Sequence, residues 1–230
     1  MCNLYRMTKG TDEVARLFAA ETMHVANLAD EVYPGYPGMV VAQGAVEVMN
    51  WGFPLVLTGK QGRKLKPKPV TNARDDKLHT PFWKDSFVQR RCIIPVSAWA
   101  EPEGRSGHMT RTWYAPEGED LFAVAGLWRE SGEWGRVYTM VMVDACAQMV
   151  DVHDRMPVLL TPGQWAQWTD AAPEAAFELC RTSEARLQVD RTQVPWAARK
   201  SALGAASGAA NGRKAGGDAA RADDAMPRLL

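Results

Sequence analysis

The chain has 230 residues, 46% of them hydrophobic and nine of them Trp, with 27 basic and 27 acidic side chains. That is enough apolar material for a substantial core, in one large domain or two small ones. Zero net charge does not by itself call for nucleic acid. The charges spread through the first twenty residues, and the lack of a long apolar window later on, exclude a signal peptide and a membrane span, so the chain is read as cytoplasmic.

In chain order, Met1-Cys2 comes first. Loss of Met1 would leave Cys2 with a thiol and a free α-amine on neighbouring carbons. Their reference pKa values, about 8.5 and about 7.7 to 8.0, leave both nucleophiles partly available near neutrality. An amine condenses with an aldehyde to an imine, and a thiolate held beside it can close a five-membered thiazolidine. The pair points to covalent chemistry on carbonyl compounds, or is simply a cysteine that follows the start codon. Asn3 to Met7 reads as a short strand, and Thr11 as the cap of an amphipathic helix to Ala20 with Val14, Leu17 and Phe18 on its apolar face. Tyr33 to Gly38, dense in Pro and Gly, is a loop; Met39 to Ala42 and Ala45 to Phe53 form a hairpin across Gln43-Gly44.

From Gly59 to Arg111 there are twelve Lys or Arg against five Asp or Glu, interleaved with aromatic residues. Such a stretch suits a phosphate backbone, or is a solvated basic face. Lys60, Arg63, Lys64, Lys66 and Lys68 lie among Gly and Pro and suggest a mobile loop. Pro69 to Asp76 packs an amide, a guanidinium and two carboxylates together, and serves either as a site or as a turn with a cap before a helix at Asp76 to His79. A short helical turn is expected over Pro81 to Phe87. Cys92 to Glu101 reads as one apolar strand whose final carboxylate stands at the rim of a sheet.

Thr112 to Ala115, Leu121 to Trp128 and Arg136 to Ala145 add three strands to a large, mainly antiparallel sheet. His153 follows between apolar stretches, flanked by Asp154 and Arg155, and suits either a structural hydrogen bond or proton transfer near neutral pH. Helices open at Thr161-Pro162 and at Pro173, the second running to about Arg181, and Leu187 to Val194 is a last strand. Residues 198–230 are Ala, Gly and scattered charge without aromatic side chains, a composition that predicts a disordered tail. The four cysteines form no CxxC pair, which argues against zinc and against a disulfide framework; Cys92, Cys146 and Cys180 are expected in the core. No metal or cofactor is called for.

Met1-Cys2, Trp51-Gly52-Phe53-Pro54, Thr71-Asn72-Ala73-Arg74, Arg91-Cys92 through Trp99-Ala100-Glu101, and His153 through Pro157 together resemble, in order and spacing, the SOS response-associated peptidase family, the abasic-site processing proteins. The resemblance covers about Cys2 to Trp196 and implies a catalytic domain over residues 1–197. It also implies an α+β fold with a pseudo-barrel sheet, and a shallow basic cleft for single-stranded DNA. In that family the mature terminal cysteine captures an abasic-site aldehyde as a thiazolidine crosslink. By the same resemblance Cys2 is the nucleophile, Asn72 orients it, Glu101 moves protons during imine formation and His153 assists sugar-ring opening. Arg74 and Arg155 would hold phosphates, and Trp51 would lie near a base or sugar or in the core. Asn3-Leu4 stands where the family commonly has Gly-Arg, so Arg6, on the same side of an extended segment as Leu4, is the expected substitute.

The expected partner is single-stranded DNA bearing abasic sites, met by a monomer. Two other readings remain open on the sequence. One is an amino-terminal-nucleophile peptidase or amidohydrolase, the other a non-covalent single-strand-binding module.

Overall fold

The computed structural model describes residues 2–22 and 28–196. Met1 and the Ala/Gly-rich segment 198–230 lie outside the described residues. In chain order the strands are β1 (Tyr5–Arg6), β2 (Glu21–Thr22), β3 (Glu31–Val32), β4 (Pro37–Ala42), β5 (Ala45–Trp51), β6 (Phe53–Leu55), β7 (Lys68–Val70) and β8 (Asn72–Arg74). They continue as β9 (Arg91–Val96), β10 (Ala98–Glu103), β11 (Thr110–Pro116), β12 (Phe122–Ser131), β13 (Gly135–Asp144), β14 (Arg155–Pro157), β15 (Leu159–Leu160) and β16 (Leu187–Pro195). The helices α1 (Thr11–Phe18), α2 (Lys84–Gln89), α3 (Trp165–Asp170) and α4 (Pro173–Phe177) are short, so the fold is α+β with the sheets in charge.

Five strands close on themselves in the order β13-β12-β9-β4-β5, and the parallel pairing of β5 with β13, Asn50 opposite Val137 and Trp51 opposite Tyr138, seals the ring. Closure removes the unpaired edges that an open sheet would leave. The ring's longest strands are apolar on both faces: Phe122 to Trp128 and Val137 to Val143 are buried throughout. One face fills the barrel. The helical side of the fold covers another part of the ring, where Trp168 of α3 donates its indole N–H to the Cys92 carbonyl at 2.9 Å. A second sheet, in the order β16-β11-β10-β1-β3, carries the beginning of the chain.

The β4–β5 hairpin forms as its sequence predicts, with Gln43 (φ 53°) and Gly44 (φ 79°) both left-handed as a tight two-residue turn requires. The second strand stops at Trp51 rather than Phe53, because Gly52 (φ 120°) kinks the chain and donates to the Tyr138 carbonyl at 2.7 Å. A Cβ at Gly52 would run into the Pro69 ring. Helix α1 begins after Gly10, with Thr11 as its first residue instead of its cap, and Leu17 is exposed. The helix expected at Asp76 to His79 is a single 3-10 turn over Asp75–Lys77, and the one expected at Pro81 to Phe87 runs over Lys84–Gln89. The last helix ends at Phe177, well short of Arg181. Cys146 and Cys180 sit half-buried at the margin of the core, and only Cys92 of the three is fully enclosed.

The largest correction concerns Cys92 to Glu101. This is two strands in two different sheets: β9 belongs to the barrel, β10 to the five-stranded sheet, and Ser97 is the hand-off, its N–H donating to the Arg6 carbonyl at 2.8 Å. Glu101 therefore does not end a strand at a rim. It lies inside β10, opposite Thr112 of β11, and is fully buried.

Candidate active site

The site is built where the amino-terminal segment crosses between the two sheets. β1 runs antiparallel to β10, with Tyr5 opposite Trp99 and the Ala100 N–H donating to the Leu4 carbonyl at 2.9 Å. Each step from Tyr5 toward the amino terminus is therefore a step along β10 toward Glu101. Cys2 is buried, and its thiol donates to the Leu4 carbonyl at 3.5 Å. Burial pushes the thiol well above its ordinary range, and the charge of Glu101 pushes it further, so the two groups lie within electrostatic reach of each other.

β8 reaches the same place from the barrel side, docked parallel to β13 with Asn72 opposite Met140. Asn72 donates through Nδ2 to the Cys2 carbonyl at 2.8 Å and to Thr71 Oγ1 at 2.7 Å, while its buried Oδ1 has no hydrogen-bond partner among the described residues. Thr71 in turn donates to Asn3 Oδ1 at 3.0 Å. Asn72 and Thr71 thus hold two successive residues of the amino-terminal segment. Neither Thr71 nor Asn3 stands out in the sequence as a positioning group. Their one visible signal is adjacency to Asn72 and Cys2.

Glu101 supplies the titratable carboxyl. Burial pushes it from 4.5 up to about 7, and Asp154 raises it as well, so the loop carrying His153 and Asp154 is electrostatically coupled to Glu101. In the neutral ring His153 Nδ1 can accept the Arg155 N–H at 2.9 Å, and the same nitrogen stands 3.3 Å from Asp154 Oδ1. Burial is the first cause that lowers its pKa from 6.5, favouring that neutral ring near pH 7.

The expected phosphate ligands are held by acids. Arg74 makes two bonds of 2.9 Å to Asp76, and Arg155 bonds Asp75 at 2.9 Å and faces Asp144 at 3.3 Å. Arg6 bonds Glu31 at 3.1 Å and lies 3.7 Å over the Trp113 ring, and Arg111 meets the same carboxylate at 2.9 Å. Burial would raise Glu31, but hydrogen bonds from Tyr33, Arg6 and Arg111 outweigh it and hold the carboxyl low. Trp51 is fully enclosed between Tyr5 and Tyr138 and donates to the Thr71 carbonyl at 3.2 Å. It braces the Thr71-Asn72 turn from within the core and presents no face to a base.

Residues 1–195 match the model of the SOS response associated peptidase (SRAP) family. The chain belongs to this family. Among curated relatives of this SRAP protein, the abasic site processing protein YoqW of Bacillus subtilis is 25% identical over 187 residues, covering 73% of this chain and 80% of the relative. The abasic site processing protein YobE of the same organism is 24% identical over 189 residues, covering 73% and 81%. A solved structure from Bordetella bronchiseptica superposes with a TM-score of 0.69 at 23% identity, covering 83% of this chain and 99% of that one. One from Bacteroides thetaiotaomicron also reaches 0.69, at 18% identity, covering 83% and 91%. At these identities the structural likeness speaks for the fold alone, the mostly antiparallel closed sheet described above.

Proposed function

We propose that this SRAP protein processes abasic sites in single-stranded DNA, capturing the sugar aldehyde covalently through Cys2 once Met1 has been removed. The observation that carries this is the convergence on Cys2 of an amide that fixes its carbonyl and a buried carboxyl poised near neutrality. The names of the relatives YoqW and YobE support the substrate class.

The thiol, held protonated by burial, is a poor first nucleophile, so the amine acts first. Its lone pair adds to the aldehyde carbon of the opened deoxyribose. The resulting carbinolamine loses its hydroxyl as water, with Glu101 giving the proton, and an imine remains. The sulfur then adds to the imine carbon while its proton passes to the nitrogen, closing the thiazolidine with no oxidant or reductant. A carboxyl with a pKa of about 7 is present in both forms at neutral pH, as donor and acceptor in successive steps require. His153, held neutral by burial, would assist opening of the sugar ring. The imine also acidifies the adjacent carbon, so a secondary lyase activity by β-elimination belongs to the same site. Met1 is removed either by the chain itself, which would be the hydrolytic step of the family's name, or by another peptidase.

The test is a denaturing gel of processed protein with an abasic oligonucleotide. A shifted band that survives denaturation is expected, and Cys2→Ala should abolish it. A band of equal strength from Cys2→Ala would end the proposal.

A further inference from the structure

The arm over residues 55–68 carries chemistry that the site does not use. Its root is fixed: β6 and β7 pair Phe53 with Val70 and Leu55 with Lys68, and Phe53 is buried beneath the Arg129 guanidinium, 4.2 Å from its ring centre. The Thr58–Lys64 bridge and the Leu65 N–H donating to the Leu57 carbonyl at 2.8 Å continue the pairing outward. The tip turns through Lys60–Gly62, where Gln61 (φ 65°) and Gly62 (φ 76°) are left-handed. The arm that the sequence suggests as a mobile loop is therefore a paired structure.

Lys60, Arg63, Lys64, Lys66 and Lys68 are all exposed, and no acidic residue occurs between Val48 and Arg74. None of the five forms an ion pair among the described residues, whereas Arg6, Arg74, Arg111, Arg136 and Arg155 each hold a carboxylate. The open groove beside the arm is lined by Val56, Thr58, Lys64, Leu65, Pro67 and Glu133, and Glu133 accepts from Ser131 at 3.1 Å and forms no ion pair with Lys64 among the described residues. In a chain of zero net charge this is a concentration of uncompensated positive charge.

Its geometry is also set. Lys66 and Lys68 each precede a proline, which keeps their backbone extended. Lys64, Lys66 and Lys68 alternate along that run, and β7 leads through Thr71 into Asn72 and Arg74 of β8. At ~3.3 Å per residue, Lys68 lies within about 20 Å of Arg74.

We infer that this arm is a phosphate track for the DNA strand on one flank of the captured nucleotide, leading it into the site beside Asn72. The inference deepens the function proposed above and rests on it for the identity of the ligand. Unpaired cations on an extended, proline-stiffened edge release counterions on meeting phosphates without first breaking a protein ion pair.

Binding of processed protein to an undamaged single-stranded oligonucleotide, followed by fluorescence anisotropy over a range of salt, tests it. The variant carrying Lys60→Gln, Arg63→Gln, Lys64→Gln, Lys66→Gln and Lys68→Gln should bind about tenfold or more weakly at low salt. Its slope of log affinity against log salt should be shallower by about 2 to 3.5, some 0.7 for each phosphate that the variant no longer neutralises. The same four lysines changed to Arg should keep the parent slope. An unchanged slope in the Gln variant overturns the track. Crosslinking of an abasic oligonucleotide trimmed on one flank should erase the difference between parent and Gln variant for one flank only, and an equal response to both trims also overturns it. A parent that binds but never crosslinks would instead refute the proposed chemistry, because the salt slopes are read on undamaged DNA.

Discussion

Thr71 shows what a single hydroxyl does in this site. It accepts from Asn72 at 2.7 Å and donates to Asn3 at 3.0 Å, so it steadies both the amide that holds Cys2 and the residue after Cys2. Thr71→Val keeps the shape and removes both bonds. With each worth about 1 kcal/mol, the crosslinking rate at saturating DNA should fall roughly thirtyfold, and Thr71→Ser should restore most of it. A valine variant as fast as the parent, or a serine variant as slow as valine, would refute this positioning role. The bond to Asn3 could not be read from the sequence because it joins residues 68 positions apart. The chemistry-bearing types were legible, since Cys2, Asn72, Glu101 and His153 each carry a group suited to its proposed task. The state of the expected DNA contacts was not, because whether Arg74 meets a phosphate or Asp76 depends on a turn that spacing alone does not specify.

At the scale of elements, strands with strong apolar runs and Gly-marked turns were readable: β4, β5, β11, β12, β13 and β16 fall close to their expected positions. β1 falls inside the short strand expected over Asn3 to Met7, whereas the two-residue strands β2, β3 and β15 exist through their partners and leave no periodic trace. The β9–β10 hand-off was hidden for a different reason. The run stays apolar through Ser97, and a chain that changes sheets while remaining extended looks like one strand. The start of β4 offers a direct check on packing. A Cβ at Gly38 would collide with the hydroxyls of both Tyr5 and Tyr138, which bond each other in the core. Gly38→Ala must therefore push apart the aromatic group that encloses Trp51. Overpacking of this kind costs about 1 to 3 kcal/mol, so thermal unfolding should come roughly 2 to 12 °C earlier. An unchanged melting temperature would show that the tyrosine pair yields freely.

For the molecule as a whole, two groups of the site, Glu101 fully buried and His153 half-buried, make folding depend on pH in opposite directions. Glu101 is raised from 4.5 to about 7, so between those values the folded protein keeps a proton that the unfolded chain has released. Its contribution to stability is fully present below about 4.5 and is lost as pH rises through about 7. Over that window the loss is of the order of 3 kcal/mol at about 1.4 kcal/mol per pH unit. His153 is lowered below 6.5, so its contribution is present above 6.5 and is lost as pH falls through its folded value. Glu101→Gln removes the first dependence and leaves the second. Urea unfolding of parent and variant at pH 5, 6, 7 and 8 separates them, because every other titrating group is common to both. The stability of the variant relative to the parent should rise from pH 5 to 7 and then level off. Parallel profiles would mean that Glu101 ionises in the folded protein as it does in the unfolded chain. It would then be fully ionised at neutral pH and without a proton to give to the carbinolamine.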